Sequence, residues 1–408
     1  RNSPQWVMSY FACIALGAVV VAIDYGFSES TAMKIIREVK PKAIIYSRYK
    51  PLKHHQAKGF IIEDIDSNLP IKPLKPRKSS ERDLLEIVYT SGTTGIPKGV
   101  MITHQNLCAN IKSLSESVII HGQETFCSVL PLSHLFEQTT WMLFPLYNGA
   151  RIVYMDSLNP IGIARICKEE KVTHMITVPR MMAMLKSLLP GPRFLSRIMF
   201  HRRFGNQFEY FILGGAPIST EIETQCRGIG IVQGYGLTET SPVLTVNTLD
   251  DYIHGSVGHA VPGVEIKINP DEEILVRGKN VFSGYYQDEI KTDESFESGW
   301  FKTGDIGEIK DGYLYLHGRK KDMIATSQGL KVYPEDIEAV LNLQKGVIDS
   351  CVIGVKGKNG EEVHAVLLLE SGEPEKIISK ANSILEDHQQ IKTYSIWKES
   401  DFPRTPTK

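Results

Sequence analysis

The feature that most constrains the fold is an alternation of short apolar runs with amphipathic stretches, which continues to about residue 258. Helical periodicity occupies residues 28–38, 105–117 and 161–170. The strand-like runs are residues 18–23, 43–46, 60–62, 87–89, 128–132, 150–154, 174–178 and 210–215. A strand–helix–strand rhythm requires crossover connections, so the sequence predicts an α/β fold with mostly parallel sheets.

The pattern changes beyond Gly258, where short runs are separated by turn residues. These runs predict an antiparallel β subdomain that flanks the parallel sheets. A compact α+β tail follows. The elements predicted for this tail are helices at 334–343 and 375–385 and strands at 350–355 and 363–369. We therefore expect a large N-terminal domain over residues 1–320 and a small, mobile C-terminal domain over residues 321–408.

Charge and cysteine content exclude several classes of protein. Lys plus Arg number 46 and Asp plus Glu number 47, which gives a formal net charge of −1. This balance provides no electrostatic basis for nucleic-acid binding or for polybasic attachment to a membrane. The six cysteines are scattered without disulfide-like or C-x-x-C spacing, which favours buried free thiols in a reducing cytosol.

An uncharged stretch at residues 6–23 just reaches the minimum length of a membrane helix. Its first part, up to Leu16, is helical in character, Gly17 is a helix breaker, and residues 18–23 are β-branched. A helix that leads into a buried strand therefore explains the stretch better than a membrane span. The chain begins at Arg1 within what looks like an element, so we expect a further segment before it.

Residues 89–99 (YTSGTTGIPKG) form the strongest local motif, between a strand and a helix expected to begin near Thr103. Three glycines let backbone N–H groups approach phosphate oxygens, four hydroxyl side chains donate hydrogen bonds, and Lys98 supplies charge. The order Pro-Lys-Gly differs from the Gly-Lys-Ser/Thr ending of a Walker A loop. A flexible turn is the alternative, but it would rarely place so many donors beside one lysine.

Two further motifs follow strand-like runs. Residues 214–217 (GGAP) can let a flat ring lie against the backbone, although the same residues also suit an ordinary turn. In residues 233–240 (QGYGLTET), Tyr235 can stack on a base, Thr238 can contact a phosphate, and Glu239 is a carboxylate suited to Mg²⁺. The alternative for this motif is a capped helix start in which Thr238 and Glu239 serve only secondary structure.

Together these motifs resemble the AMP-forming adenylating enzymes, which include acyl-CoA synthetases, luciferases and peptide-synthetase adenylation domains. The signature S-G-[ST]-T-G-x-P-K-G of that superfamily matches residues 91–99 at every position. The resemblance covers essentially the whole chain and implies a nucleotide-binding site. The residues it assigns to that site are Thr90, Ser91, Gly92, Thr93, Thr94, Gly95, Lys98, Gly214, Gly215, Ala216, Gly234, Tyr235, Gly236, Thr238, Asp305 and Arg319.

The resemblance also implies individual roles. Lys98, Thr238 and Glu239 would take part in catalysis, with Glu239 as the magnesium ligand. Asp305 would accept hydrogen bonds from the ribose diol, with Arg319 as its companion. His134, in residues 131–138 (PLSHLFEQ), would be the catalytic residue that gates the acyl carboxylate. A single histidine is more often an ordinary core or surface group, and this alternative stays open.

The tail carries two more residues that the resemblance implies, Lys321 as the hinge and Gly329 in the tunnel for the incoming thiol. The superfamily ends on a lysine that contacts the adenylate. Residues 403–408 (PRTPTK) stop one position short of it. Either Lys408 occupies the intervening position or a residue is absent, so we do not assign that role.

Among the branches of the superfamily, the chain looks most like a bacterial long-chain fatty-acyl-CoA synthetase. The resemblance implies activation of a carboxylic acid, a medium- or long-chain fatty acid, to acyl-AMP and then transfer to CoA. ATP, Mg²⁺ and CoA would be required. The alternative is an enzyme that loads an acyl or aryl acid onto a carrier-protein phosphopantetheine.

The apolar run at residues 136–147 could line a slot for the acyl chain or could be an ordinary buried helix. The expected partners are small molecules and no nucleic acid. We expect a cytoplasmic location, with peripheral membrane contact for a lipid substrate left open.

Overall fold

The computed structural model describes residues 2–52, 56–65, 75–90, 97–155, 159–186, 193–214, 230–325, 330–357 and 361–403.

A seven-stranded sheet forms the centre of the N-terminal part. Its strands lie in the spatial order His259–Ala260, Thr245–Val246, Ile231–Tyr235, Tyr210–Leu213, His174–Thr177, Thr125–Ser128 and Arg151–Tyr154. The last five pair in parallel, whereas the first two are antiparallel. The helices Pro160–Glu169, Pro179–Lys186 and Arg193–Phe204 lie in the crossovers between parallel strands. The predicted parallel α/β architecture is therefore confirmed.

A buried aromatic and aliphatic core packs against this sheet. Phe126 and Phe211 on the strands and Phe200 and Phe204 on a crossover helix are almost fully buried. The Phe200 and Phe204 rings stack with their centroids 4.5 Å apart. Each such side chain stabilises the fold by about 1.5–3 kcal/mol through removal of apolar surface from water. The core fixes the sheet, and the ends of its strands can then carry functional loops.

The strands Leu84–Thr90 and Lys98–Thr103, on either side of residues 91–96, form an antiparallel pair. The helix His104–Ser117 begins only after the second strand, with Thr103 as its N-cap. The strand before the motif and the helix start near Thr103 are therefore confirmed. The strand Lys98–Thr103 between them was not predicted; it forms because the segment KGVMIT pairs with the first strand.

The N-terminal region contains the helices Pro4–Ala15 and Glu29–Val39 and a two-stranded parallel sheet, Ala43–Tyr46 with Lys58–Ile61. The strand predicted at residues 18–23 is wrong. Only Val20 pairs, in one parallel bridge with Glu86, because the run is partly exposed and is not sandwiched as a central strand. None of the helices among the described residues is long and apolar enough to cross a bilayer.

A second sheet is antiparallel and flanks the first, as predicted. Its strands are Val264–Ile268, Glu273–Gly278, Phe296–Glu297, Trp300–Lys310 and Tyr313–Arg319. The last two form a hairpin in which Asp305 pairs directly with Arg319. The short helix Glu289–Glu294 precedes this hairpin, with Asp288 as its N-cap.

The tail forms its own α+β unit with a separate core. Its strands Val347–Lys356, Glu361–Leu369 and Thr393–Ile396 form one sheet, and its helices are Pro334–Asn342 and Pro374–Asn382. Buried side chains from the sheet and both helices form the core. These elements agree with the predicted tail to within a few residues. The domain boundary at Lys321 stays a prediction.

Five cysteines lie in the described residues, and all are free thiols. Cys127 and Cys167 are buried, as predicted, whereas Cys108 is exposed on the helix His104–Ser117. The expectation of buried thiols is therefore wrong for Cys108, because its helix packs through other positions such as Leu107 and Leu114.

Candidate functional site

Several of the predicted site residues lie outside the described residues. These are Ser91, Gly92, Thr93, Thr94, Gly95, Gly215, Ala216 and Gly329, and Lys408, to which no role is assigned, lies outside them as well. Thr90 and Lys98 lie on either side of residues 91–96 and are directly opposite each other in the strand pair.

The side chain of Tyr285 links Lys98 to the carboxylate of Glu239. The Nζ of Lys98 lies 5.7 Å from the centroid of the Tyr285 ring, and the Tyr285 hydroxyl donates a hydrogen bond to Glu239 Oε1 at 2.8 Å. The Glu239 backbone is also held, because its carbonyl accepts the Phe282 N–H at 2.8 Å. Burial and the charge of Glu239 raise the pKa of Tyr285, so the hydroxyl remains a donor. Two motifs separated by about 140 residues thus meet at one point.

The surroundings of Lys98 lower the pKa of its ammonium group. Burial and, after it, contact with the Lys291 side chain lower its pKa to about 8, although Glu239 and Asp288 oppose the shift. The contact is possible because Tyr286 N–H donates to Gly99 O at 2.7 Å, which brings the turn before the helix Glu289–Glu294 against Lys98. Two ammonium groups brought together repel each other, and an anion placed between them would relieve the repulsion.

The Thr238–Thr240 segment is a single 3₁₀ turn. Thr240 provides its cap, because the Thr240 hydroxyl accepts the Leu237 N–H at 2.9 Å. The capping role that was the alternative for this motif therefore belongs to Thr240. Thr238 and Glu239 lie between the end of the strand Ile231–Tyr235 and the Lys98 region.

Tyr235, Asp305 and Arg319 form a second cluster. The Tyr235 hydroxyl donates to Asp305 Oδ2 at 2.6 Å, and Arg319 Nε lies 2.8 Å from Asp305 Oδ1. Asp305 is only 6% exposed, and its charge is paired with the guanidinium across the hairpin. Burial and the Asp305 charge raise the pKa of Tyr235 well above its usual value. The structure thus brings together three residues that the sequence assigned separately to one nucleotide site.

Two of the predicted glycines have a packing reason for their identity. A Cβ at Gly236 would lie 1.7 Å from the carbonyl oxygen of Pro242, and one at Gly214 would lie 2.3 Å from Cζ of Phe136. No side chain fits at either position without a shift of its neighbour. The Phe136 contact also places the turn that carries His134 beside the end of the strand Tyr210–Leu213. The space around Gly234 is less restricted, because a Cβ at this position would lie 3.1 Å from the carbonyl oxygen of Thr245.

His134 caps the short helix Leu135–Glu137 and contacts a residue that the sequence motifs did not indicate. Its Nε2 lies 3.1 Å from Oδ2 of Asp24. The Ser133 hydroxyl donates to the same oxygen at 2.8 Å, and the Gly26 N–H donates to Oδ1 at 2.6 Å. Burial would raise the pKa of Asp24, but these contacts outweigh burial and lower it.

Behind His134 the chain enters a π-helical segment, Gln138–Leu143, followed by the helix Phe144–Tyr147. Trp141, Met142 and Phe144 are buried in the two main cores, and the Trp141 ring packs edge-on against Phe126 at 5.3 Å. Of the two interpretations of residues 136–147, the buried helix is therefore the one that the packing supports.

Two buried acids flank this segment. Glu86 is fully buried, and the Gln138 side-chain amide donates to its Oε2 at 3.0 Å. Burial raises the pKa of Glu86 to about 7, although Gln138 and Tyr10 oppose the shift. Burial raises the pKa of Glu137 to about 8, opposed by Ser128 and nearby backbone N–H groups. Both carboxyls are therefore largely or partly protonated at neutral pH.

Sequence reasoning missed Asp24, Tyr285, Lys291 and Glu86. One signal was available, since Glu86 is the single charged residue of the buried strand LLEIVYT. The other three belong to segments without a recognisable motif. Asp24 lies 109 residues from Ser133, so its contact becomes visible only in the folded chain.

Lys321 lies in the turn that follows the strand Tyr313–Arg319. It is half-exposed, and its Nζ is 3.8 Å from Asp322 Oδ1. The preceding Lys320 is instead anchored, with its Nζ 2.9 Å from Glu273 Oε2 and 3.2 Å from Asp271 Oδ2. Lys331 forms a further ion pair with Glu272 at 2.6 Å. These contacts leave Lys321 as a weakly held position between anchored neighbours.

The carboxylate of Glu239 is suited to bind a magnesium ion in this site. Among the described residues, no three His, Cys, Asp or Glu side chains are grouped so that they could hold a metal. Mg²⁺ bound with nucleotides usually takes one or two protein carboxylates and completes its shell with phosphate oxygens and water. The donor set therefore fits the ion together with a nucleotide phosphate.

Comparison with known proteins gives consistent results. A family model described as AMP-binding enzyme matches residues 1–286. A long-chain-fatty-acid–CoA ligase of Escherichia coli O157:H7 is 34% identical over 312 residues, which cover 71% of this chain and 53% of that protein. The chain thus spans about half the length of that curated relative.

Two further matches cover more of the chain. The long-chain-fatty-acid–CoA ligase FadD13 of Mycobacterium tuberculosis is 29% identical over 395 residues, which cover 90% of this chain and 76% of that protein. The crystal structure of ATP-bound MatB from Rhodopseudomonas palustris superposes with a TM-score of 0.87 at 25% identity. It covers 99% of this chain and 84% of that chain.

Proposed function

The chain belongs to the AMP-binding enzyme family, and from this premise we propose that it activates a carboxylic acid with ATP and transfers the acyl group to CoA. In the first step a carboxylate oxygen attacks the α-phosphorus of ATP, the bond to the β-phosphate oxygen breaks, and acyl-AMP and pyrophosphate form. In the second step the CoA thiolate attacks the acyl carbonyl carbon, and AMP leaves. Both steps develop negative charge on oxygen, so electrostatic positioning is the expected means of catalysis.

The observation that carries this proposal is the convergence of Lys98, Tyr285 and Glu239. Tyr235, which binds the Asp305 that is paired with Arg319, precedes Glu239 by only four residues. Lys98 and Lys291 supply two cations where a polyphosphate would need them, and phosphate oxygens would raise the pKa of Lys98 from about 8. Thr90 and the loop that it begins would contribute backbone and hydroxyl donors to the same phosphates.

On the nucleoside side, Asp305 has its charge neutralised by Arg319 and retains lone pairs that can accept ribose hydroxyls. Tyr235 holds the carboxylate from the other side, and its ring is proposed to stack on the base. Glu239 would hold Mg²⁺, which when bound neutralises charge on phosphate oxygens. Thr238, next to it, would contact a phosphate.

The acid is proposed to be a medium- or long-chain fatty acid. Support comes from the names of the relatives, which are long-chain-fatty-acid–CoA ligases. MatB has the same fold but is not named a long-chain-fatty-acid–CoA ligase. The fold alone therefore does not identify the acid substrate. A carrier-protein phosphopantetheine would present the same thiol arm as CoA. Lys321 is proposed as the hinge between the two steps, and Gly329 as part of the thiol tunnel.

Pyrophosphate release with a panel of acids from acetate to palmitate, measured with and without CoA, tests this function. We expect release to require ATP, Mg²⁺ and the acid. We also expect kcat/KM to rise with chain length, because each buried methylene contributes roughly 0.8 kcal/mol. Acyl-CoA should appear only when CoA is present. No release with any acid contradicts adenylation, whereas a flat or aryl-selective profile contradicts only the fatty-acid substrate. Adenylation without acyl-CoA formation points to a carrier-protein acceptor.

A further inference from the structure

Asp24 is a buried carboxylate that none of the recognised motifs contains. It is 6% exposed and follows the partly exposed segment at residues 18–23. Its carboxylate contacts three polar groups: the Gly26 N–H at 2.6 Å, the Ser133 hydroxyl at 2.8 Å and His134 Nε2 at 3.1 Å. A buried carboxylate destabilises a fold unless such contacts compensate for lost hydration. The three contacts therefore explain how Asp24 can be charged at this position.

The His134 ring is oriented so that one edge is buried and the other is accessible. Its Nε2 atom, 3.1 Å from Asp24 Oδ2, is inaccessible to solvent and makes no hydrogen bond of regular geometry within the described residues, whereas 29% of the side chain is exposed. The exposed part therefore belongs to other atoms of the side chain. A carboxylate that faces one ring nitrogen favours a proton on that nitrogen, and this selects the tautomer of the ring.

The segment that carries His134 lies close to the end of a central strand. Phe136, two residues further along, contacts Gly214, which directly follows the strand Tyr210–Leu213. Ligands of open α/β sheets bind outside the carboxyl ends of the strands. A ring held at this edge is thus placed where a substrate carboxylate would arrive.

We infer that Asp24 is a positioning residue that holds the proton on Nε2 of His134 and fixes the ring so that its exposed edge meets the acid substrate. This inference rests on the proposed function, because His134 is taken there as the residue beside the acyl carboxylate. Asp24 itself does not touch the reacting atoms. Its effect passes through the orientation and the tautomer of the ring, as in other carboxylate–histidine pairs.

A double-mutant cycle tests this inference in the intact chain. We expect Asp24→Asn, which preserves the shape of the side chain, to lower kcat/KM for the acid about tenfold while the KM for ATP changes little. In the His134→Ala background, Asp24→Asn should have no further effect, because the ring through which Asp24 acts is gone. Asp24→Glu should recover part of the activity. Ser133→Ala, which keeps the carboxylate charge, is the matched control and should have the smaller effect.

An equal loss from Asp24→Asn in both backgrounds, or a parallel rise in the KM for ATP, overturns the inference and makes Asp24 a purely structural residue. Nitrogen-15 NMR of the His134 ring provides a second test that needs neither activity nor a variant. We expect the neutral ring to carry its proton on Nε2, and a proton on Nδ1 overturns the inference. A wild-type chain that releases no pyrophosphate contradicts the proposed function, while the NMR result still decides the role of Asp24.

Discussion

Carboxyl groups are held in opposite ways on the two sides of the candidate site. On the antiparallel hairpin, Asp305 is paired with Arg319 and Tyr235 at 2.8 and 2.6 Å. Beneath the His134 segment, the partners of Glu86 among the described residues are the neutral side chains of Gln138 and Tyr10. The hairpin side therefore keeps the charge of Asp305, whereas burial favours the protonated form of Glu86. Asp24 beside His134 differs from Glu86, because its polar contacts lower its pKa.

The largest effect is expected from substitution of the buried acids Glu86 and Glu137, and it is an effect on the stability of the fold. Their folded-state pKa values, about 7 for Glu86 and about 8 for Glu137, lie above the ordinary 4.5. The native state therefore binds more protons than the unfolded state between pH 4.5 and these values, so stability falls as pH rises through that window. Glu86→Gln and Glu137→Gln cannot ionise. Each should raise the free energy of unfolding at pH 8 by on the order of 3 kcal/mol relative to the parent chain.

Urea unfolding at pH 5 and pH 8 measures this effect, with Glu116→Gln on an exposed helix face as the control. The gain should be small at pH 5 and the control should change by less than about 0.5 kcal/mol. If the gain is the same at both pH values, Glu86 and Glu137 are ionised in the fold and the contrast between the two sides disappears.

Removal of a cation on the charged side should slow adenylation. We expect Lys98→Ala to raise the activation barrier for pyrophosphate release by about 1.5–3 kcal/mol, which slows release tenfold or more. The reason is that a charge-assisted contact to phosphate is lost. Lys112→Ala, on an exposed helix, is the matched control. Unchanged adenylation kinetics in Lys98→Ala would remove this residue from the site.

Asp305→Asn should weaken nucleotide binding by about tenfold, since it removes the charge that pairs with Arg319 and accepts the ribose hydroxyls. Calorimetric titration with AMP measures the change. Asp311→Asn, at the turn of the same hairpin, keeps the fold of the hairpin and should leave the affinity as it is. Equal affinities for the parent chain and Asp305→Asn would show that this charge serves the hairpin rather than the nucleotide.

Glu239→Gln should have the smallest effect on the fold and a few-fold effect on the metal requirement. The amide can still accept the Tyr285 hydroxyl, but it is a weaker ligand for Mg²⁺ than a carboxylate. We expect the Mg²⁺ concentration for half-maximal activity to rise while the melting temperature stays nearly constant. A large fall in melting temperature with an unmoved Mg²⁺ dependence would instead make Glu239 a structural residue.

Much of the fold was predictable because its signals are local. The parallel strands, the flanking antiparallel sheet and the elements of the tail follow from the periodicity of apolar residues over short windows. The strand Lys98–Thr103 was not predicted, since a helix cap at Thr103 does not reveal that the preceding residues pair with another strand. The strand expected at residues 18–23 failed for a related reason, because β-branched residues favour extended backbone without specifying a partner.

By itself the sequence determined the residue types of the site, such as Lys98, Glu239 and Asp305, and the order in which the elements occur. Only the tertiary structure decided which groups share an environment. The contacts of Asp24 with His134, of Tyr285 with Glu239 and of Gln138 with Glu86 join distant segments. Electrostatic interactions depend on distance and burial, and neither quantity exists until the chain has folded.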